Sequence, residues 1–250
     1  MKKILLALAT VTASAATLAQ TAAPAATAPA AEPDYTLAFN AGLISEYRYR
    51  GITQTRFKPA VQGGIDFTHK SGLYIGTWAS SIKWIKDAGG GADVEVDVYG
   101  GYKNTFAEGF GYDVGVLRYQ YPGSRLPVSP NTTEVYGALT YSVATLKYSH
   151  STTNLFGFAD SKNSGYLDLS ATFDIGNGFS LVPHIGHQRV NNNSAFSYTD
   201  YSLTLGKDFG NGLSATLTAV GTDAEKSLYR TPNNKFSGRN GLVAGVKYTF

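Results

Sequence analysis

Three carboxylates, Asp93, Glu95 and Asp97, alternate with valines. Because residues two apart in a strand share one face and lie about 7 Å from each other, the three acids would form one acidic row. Such a row could hold a divalent cation, which prefers oxygen ligands. We favour the alternative, a charged wall whose acids pair with basic groups, and expect no metal. The expected partners are Lys83, Lys103 or Arg118.

Two arginines, Arg48 and Arg50, follow the first predicted strand and enter a long loop. With a spacing of two they share one face of that strand. They could form a cationic constriction that favours anionic solutes. Alternatively they pair with Glu46 or with acids across the fold, and the sequence leaves both possibilities open.

The histidines and serines give no catalytic pattern. His184 and His187 are three residues apart, which places them on opposite faces of a strand, so we expect His184 to form hydrogen bonds rather than bind a metal. Ser149-His150-Ser151 could indicate a hydrolase, but neighbours on a strand point apart. After residue 19 we find no Gly-x-Ser-x-Gly elbow, zinc signature or phosphate loop. We therefore expect no enzyme activity and no cofactor.

The N-terminus has the pattern of an export signal. Two lysines precede the short apolar run Ile4-Leu5-Leu6-Ala7-Leu8-Ala9. Thr17-Leu18-Ala19 fits a cleavage site, and Ala13-Ser14-Ala15 is a second possibility. We assign residues 1–19 to a cleaved signal peptide, 20–34 to a flexible Ala/Pro/Thr-rich linker, and 35–250 to the folded domain. The net charge of +3 includes the two signal lysines, so no nucleic-acid surface is expected.

Beyond residue 35 the hydrophobic period is two, which predicts strands. Twelve segments show it, and their connections alternate between long polar loops and tight turns such as Asn177-Gly178 and Asn211-Gly212. The segments are 35–47, 59–69, 73–82, 92–103, 111–121, 132–141, 143–150, 164–174, 178–190, 197–208, 213–223 and 240–250.

An even strand number with short turns at one end and long loops at the other is typical of an outer-membrane barrel. We therefore predict an all-β, transmembrane, antiparallel up-and-down β-barrel of about twelve strands, with its apolar face in lipid. Aromatic residues at strand ends would form the girdles at the two interfaces. These residues are Tyr35, Tyr47, Tyr102, Tyr112, Tyr119, Tyr121, Tyr141, Tyr148, Phe173, Phe179 and Tyr248. The candidate lumen-lining residues are Arg48, Arg50, Asp66, Asp93, Glu95, Asp97, Glu134, Lys147, Asp168, His184 and Lys247.

The opening of the domain resembles the TorF family of porins. The resemblance is carried by Ser45-Glu46-Tyr47-Arg48-Tyr49-Arg50-Gly51-Ile52-Thr53-Gln54-Thr55, by Lys58-Pro59-Ala60-Val61-Gln62-Gly63-Gly64-Ile65-Asp66 and by Gly76-Thr77-Trp78-Ala79-Ser80. It implies an outer-membrane barrel with a transport role. The family has no established substrate, and we carry over no functional residue beyond Ile82.

We interpret the chain as a narrow outer-membrane porin for passive diffusion of small polar solutes. The alternatives are a non-conducting barrel that acts as an anchor or adhesin, and a soluble periplasmic β-barrel binding protein with the apolar face inside. The expected partners are outer-membrane lipid, small polar solutes and the outer-membrane assembly machinery, which would read Tyr248 and Phe250 at the C-terminus. A homo-oligomer is compatible with the sequence, which does not require one.

Overall fold

A computed structural model of the chain describes residues 33–250. The predicted signal peptide and nearly all of the predicted linker lie outside the described residues. The strands are β1 (Tyr35–Ile44), β2 (Arg48–Tyr49), β3 (Ile52–Thr53), β4 (Ala60–His69), β5 (Leu73–Ser81), β6 (Val94–Ala107), β7 (Phe110–Gln120), β8 (Thr132–Tyr141), β9 (Ala144–Ser151), β10 (Gly165–Ala171), β11 (Phe173–Gly176), β12 (Phe179–Arg189), β13 (Tyr198–Gly210), β14 (Leu213–Thr222) and β15 (Gly241–Thr249).

The main sheet closes on itself as an antiparallel barrel. Each strand pairs with its neighbour along the chain, and β1 pairs with both β4 and β15, which joins the two ends of the barrel. β10 and β11 both pair with β12 and are two halves of one crossing, interrupted at Thr172. Closure therefore gives twelve crossings, and it leaves no sheet edge with unpaired backbone groups. The predicted all-β barrel of about twelve strands is confirmed.

Apolar side chains lie on the outside of the barrel. Leu167, Leu217 and Val246 are 49%, 47% and 53% exposed, whereas Glu95 and Glu134 are 1% and 2% exposed. A water-soluble sheet protein shows the opposite pattern, because burying apolar surface stabilises its fold. The prediction that the apolar face points outward is confirmed.

Tight turns connect the strands at one end of the barrel. Asn177-Gly178 and Asn211-Gly212 have φ values of 53° and 74°, and of 52° and 82°. These positive angles are the ones that a two-residue hairpin needs, and Asn and Gly adopt them most readily. A Cβ on Gly212 would also lie 2.1 Å from the carbonyl oxygen of Thr249, so the turn has no space for a side chain there.

The opposite end carries six long loops, and the first of them folds inward. β1 ends at Ile44, and β2 and β3 form a separate two-stranded hairpin within this loop. The prediction that Arg48 and Arg50 share one face of the first strand is therefore wrong: Arg48 lies in the hairpin, and Arg50 lies in its turn with φ 45°. The positive φ gives the Arg50 side chain a direction different from the one it would have in a regular strand. A period-two pattern assumes regular strand geometry and does not predict this direction.

The next long loop contains the short helix α1 (Trp84–Asp87). Ile82, just before the helix, and Ile85, within it, are fully buried against Tyr119 and Tyr121. This small core fixes the loops over the barrel mouth. Within residues 33–250 no helix has the length and apolar character of a membrane span.

Candidate functional site

The inward-folded hairpin is fixed to the last long loop by hydrogen bonds to the loop backbone, and it lies against the barrel wall. Thr53 N–H donates to the Ser237 carbonyl at 3.0 Å, and Arg48 Nη1 donates to the Arg239 carbonyl at 2.7 Å. Gly51 lies so close to the wall that a Cβ there would approach Thr222 Cγ2 to 2.4 Å. The hairpin therefore occupies part of the barrel mouth and narrows it.

Arg50 extends from the hairpin turn to strands on the other side of the lumen. Its Nη2 donates to both carboxylate oxygens of Glu134 on β8, at 2.8 and 3.1 Å, and its Nη1 donates to Gln188 on β12. The guanidinium also lies 4.0 Å from the ring centroid of Tyr166. Burial alone would lower the pKa of Arg50, but the Glu134 carboxylate outweighs it and raises this pKa well above its usual value. The pair therefore links the hairpin turn to the wall across the lumen.

Arg48 has a different partner. Its Nη2 lies 2.8 Å from Glu46 Oε1, and both side chains are nearly buried. Of the two open possibilities, the structure shows pairing for both arginines: Arg48 with Glu46, and Arg50 with an acid across the barrel. The two guanidinium groups do not form one joint cationic patch.

A second polar cluster surrounds His184 in the lumen. Its Nε2 lies 2.6 Å from Asp168 Oδ2, and its Nδ1 lies 3.7 Å from Asp200 Oδ1. Tyr166 donates its hydroxyl to Asp200 at 2.9 Å, which links this cluster to the guanidinium of Arg50. His187 lies on the opposite face, exposed, and contacts Thr199.

The three acids of the predicted row do not lie together: Glu95 and Asp97 are buried on β6, whereas Asp93 is exposed before it. Tyr47 donates to Glu95 at 2.8 Å, and Asp97 is also buried, with Oδ1 lacking a hydrogen-bond partner among residues 33–250. Asp93 lies before the strand, is exposed, and pairs with Lys86 at 2.8 Å. Asp93 is therefore not part of the buried acidic group.

The basic residues expected to balance these acids lie elsewhere. Arg118 donates to Thr133 at 2.7 Å, Lys103 lies 5.4 Å from the ring centroid of Tyr74, and Lys83 is exposed beside α1. Tyrosine hydroxyls replace them as partners of Glu95. Burial, reinforced by the charges of Glu95 and Asp97, raises the pKa of Tyr47 well above its usual value, so this tyrosine remains a proton donor.

Three tyrosines that the sequence places in the interface girdles point inward instead. For Tyr47, Tyr119 and Tyr121 the prediction is wrong, because they are only 8%, 4% and 3% exposed. Their burial follows from the inward loops, which cover the mouth. For Tyr119 a signal was available, because it has the same parity on β7 as Asp113, and residues of equal parity share a face.

The remaining candidate residues lie nearer the tight turns. Tyr99 donates to Asp66 at 2.5 Å, and Lys147 Nζ lies 4.0 Å from the ring centroid of Tyr136. Lys247 is half-buried on β15. Tyr136 in turn contacts Tyr74, which donates to an acid on β7 at 2.6 Å. This part of the lumen thus carries both charge signs, and tyrosines lie between them.

The hairpin separates two cavities. A chamber of about 420 Å³ lies on the lumen side and is lined by charged residues that include Arg50, Lys147, Asp168 and Asp200. A vestibule of about 290 Å³ lies on the loop side and is lined mainly by aromatic and apolar residues. Tyr49 of the hairpin contributes to both cavities.

Two further candidate sites were named from the sequence. The Ser149–His150 pair lacks a reactive geometry, and the Tyr248–Phe250 pair lies away from these cavities. Ser149 is buried and faces inward, whereas His150 is directed to Asn163 at 3.2 Å, so the two do not form a nucleophile and base pair. Tyr248 and Phe250 stack at 5.9 Å on the outer face, and the Phe250 backbone pairs with Phe39.

Comparison with known proteins identifies a family and a fold. The profile of a family described as a bacterial protein of unknown function, Gcw_chp, matches residues 27–250. No curated protein matches the chain. Among solved structures, the KdgM porin has a TM-score of 0.56 at 9% identity, with 86% of this chain and 98% of that chain covered. The NanC porin has a TM-score of 0.53 at 11% identity, with 86% and 99% covered. At such identities the likeness shows the fold alone, a barrel of the porin type.

Proposed function

This chain belongs to the Gcw_chp family of bacterial proteins of unknown function, and from that premise we propose that it is a narrow outer-membrane porin through which small polar solutes diffuse passively. The observation that carries the proposal is the inverted barrel: apolar side chains outside, and a chamber lined by Arg50, Lys147, Asp168 and Asp200 inside. Lipid solvates such an exterior, and water and polar solutes fit such an interior.

The size of the barrel supports a narrow channel. Eight strands leave an interior that side chains fill, and sixteen or more leave a broad aqueous channel. Twelve crossings lie between these limits, and the hairpin carrying Arg50 reduces the opening further. The solved KdgM structure with oligogalacturonate concerns a polar solute, which supports the same general class here. The resemblance to the TorF porins points to the same function.

The outer membrane is the location that this proposal requires. The export signal predicted for residues 1–19 would take the chain across the inner membrane. The terminal aromatic strand with Tyr248 and Phe250 would then be recognised by the assembly machinery. A soluble periplasmic binding protein is disfavoured, because Leu167, Leu217 and Val246 would all be exposed to water.

A second candidate has one specific observation in its favour. The hairpin is held in the mouth by Arg50, whose Nη2 donates to both carboxylate oxygens of Glu134, and it occupies space that a solute would need. A barrel closed in this way could serve as an anchor or adhesin through its loops. Conductance is the property that separates the two candidates.

Planar-bilayer recording of the refolded protein tests the proposal. The wild type is compared with a variant in which residues 48–53 are replaced by a Gly-Ser linker of equal length, and heat-dependent gel mobility checks that both are folded. We expect small, discrete conductance steps from the wild type and larger ones from the variant. If only the variant conducts, the non-conducting barrel is the better description. If neither conducts, the porin proposal is wrong.

A further inference from the structure

The vestibule on the loop side is built by the whole set of long loops. Each of the six loops, or the strand residue directly beside it, contributes to its lining. One representative from each is Tyr49, Trp84, Tyr121, Phe156, Val190 and Tyr229. Its volume of about 290 Å³ is at the lower end of the range of small-molecule sites, roughly 300–1,000 Å³. A cavity assembled from so many segments is a candidate binding site at the entrance of the barrel.

Aromatic rings in fixed orientations form a large part of its wall. Trp84 and Tyr121 meet edge to face at 5.0 Å, and Tyr49 and Phe156 do so at 5.1 Å. Phe158 packs against Phe196 at 4.6 Å between ring centroids, with the two rings tilted by 53°. These ring contacts hold each ring in place, so the rings are already oriented before a ligand arrives.

The charged groups at the vestibule have partners within the protein. Arg56 is paired with Asp87, and Arg230 Nη1 donates to Asn234 Oδ1 at 2.7 Å. The other polar lining groups are neutral amides and hydroxyls, such as Gln54 and Thr231. An acidic ligand would have to displace Asp87 from Arg56 or Asn234 from Arg230, and a cationic ligand would have to compete with Arg56 for Asp87, so the vestibule favours a neutral ligand with hydroxyl groups.

We propose that the vestibule binds a neutral saccharide and is the capture site of the channel. A sugar ring has apolar C–H faces, which pack on aromatic rings, and hydroxyl edges, which bond to amides and hydroxyls. The aromatic wall and the neutral polar groups provide both kinds of contact, unlike the charged chamber beyond the hairpin. This proposal rests on the porin function, since capture serves a solute that then passes the hairpin.

Intrinsic tryptophan fluorescence measures ligand binding in the vestibule. The chain has two tryptophans, Trp78 and Trp84, and of these only Trp84 lines the cavity. Trp78 packs on Tyr47 inside the barrel, at 5.4 Å between ring centroids. In the full-length W78F variant the emission therefore reports on Trp84 alone. The probes are maltose, glucuronate as an acidic sugar, and benzyl alcohol as an aromatic compound that is not a sugar.

We expect a saturable change in Trp84 emission with maltose. F158A should weaken the apparent affinity by about three- to tenfold, the loss of one aromatic contact. F158L retains apolar volume and tests the same ring if the alanine variant does not fold. The matched control is F106A, because Phe106 is an exposed aromatic residue on β6 at the turn end. Its affinity should equal that of the W78F parent.

Three results would overturn the proposal. Equal or tighter binding of glucuronate would show that the ligand class is not neutral. A response to benzyl alcohol alone would show a site for aromatic compounds and not for sugars. No saturable change with maltose in a protein that conducts in bilayers would remove the capture site and leave the porin function intact. Saturable maltose binding without conductance would support the site and contradict the porin function.

Discussion

Arg50 and Glu134 form a buried ion pair that connects the inward hairpin to strand β8. The Nη2 to Oε2 distance is 2.8 Å, and the two side chains are 7% and 2% exposed. β8 is the sixth of the twelve crossings and β1 is the first, so the contact joins segments on nearly opposite sides of the ring. The pair therefore ties the hairpin to the far wall, in addition to the contacts of Thr53 and Arg48 with the last long loop.

Removal of the arginine should release the hairpin. R50A leaves the Glu134 carboxylate buried without its partner, which typically costs about 3–5 kcal/mol of unfolding free energy. We expect a lower urea midpoint and larger single-channel conductance than in the wild type. The control is R125A, which removes the same charge from an exposed loop position. If R50A and R125A have the same conductance, the ion pair does not hold the constriction.

Arginine substitutions at adjacent positions of β14 should have opposite consequences. Leu217 lies on the outer face of the barrel and Thr218 lines the chamber. L217R should destabilise the folded barrel by roughly 2–4 kcal/mol, the cost of arginine on the lipid face near mid-membrane. T218R should fold normally and shift the channel toward anion selectivity. Urea titration in lipid vesicles and reversal potentials measure the two effects. Equal folding of both variants would contradict the assignment of the two faces.

Alanine substitutions at two glycines of one turn distinguish the cost of backbone strain from the cost of a steric clash. Gly210 and Gly212 have φ values of 79° and 82°, but a Cβ on Gly210 meets nothing within 4 Å, whereas one on Gly212 meets the Thr249 carbonyl. G210A should cost about 1–3 kcal/mol, the strain of a positive φ. G212A carries the same strain and the clash, so its urea midpoint should be lower still. A midpoint for G212A at or above that of G210A would show that the last strand can shift.

Alkaline pH should lower the free energy of unfolding through Tyr47, which lies in the mouth of the barrel. The pKa of Tyr47 is raised in the folded protein, by burial first and by Glu95 and Asp97 next. The folded state therefore keeps this proton when the unfolded chain begins to lose it, near pH 10. The stabilisation is complete below that pH and is lost as the pH rises, by at most about 1.4 kcal/mol per pH unit for one group.

The Y47F variant tests this dependence. Its urea midpoint should fall less steeply with pH between 10 and 12 than that of the wild type, even if its stability at pH 7 is lower. Y141F is the control, because Tyr141 is exposed at the turn end of the barrel. Parallel pH profiles for wild type and Y47F would show that Tyr47 does not titrate in this range.

Local pattern was a sufficient guide for the strands that cross the barrel. The predicted segment 132–141 is β8 to the residue, and 213–223 exceeds β14 by a single residue. A strand between two unlike environments must alternate in polarity, and that alternation is visible in the residues themselves. The turns could also be predicted from the sequence, because Asn-Gly is favoured where both residues need a positive φ.

The partners of the lumen residues could not be predicted in this way. Lys147 and Asp168 are cross-strand neighbours on β9 and β10, yet Lys147 contacts Tyr136 and Asp168 contacts His184. Across a closed lumen each side chain has several partners within reach from strands distant in sequence. Which of them it chooses depends on the shape of the enclosed space.

The sequence by itself determined the twelve crossing strands, the alternation of their two faces and the ends at which the loops and turns lie. These properties follow from period-two polarity and from turn residues, which are local. The tertiary structure alone decided that the first loop folds inward, that Arg50 pairs with Glu134, and that tyrosines bond to the buried acids. These contacts join segments far apart in the chain, and only closure of the sheet brings them together.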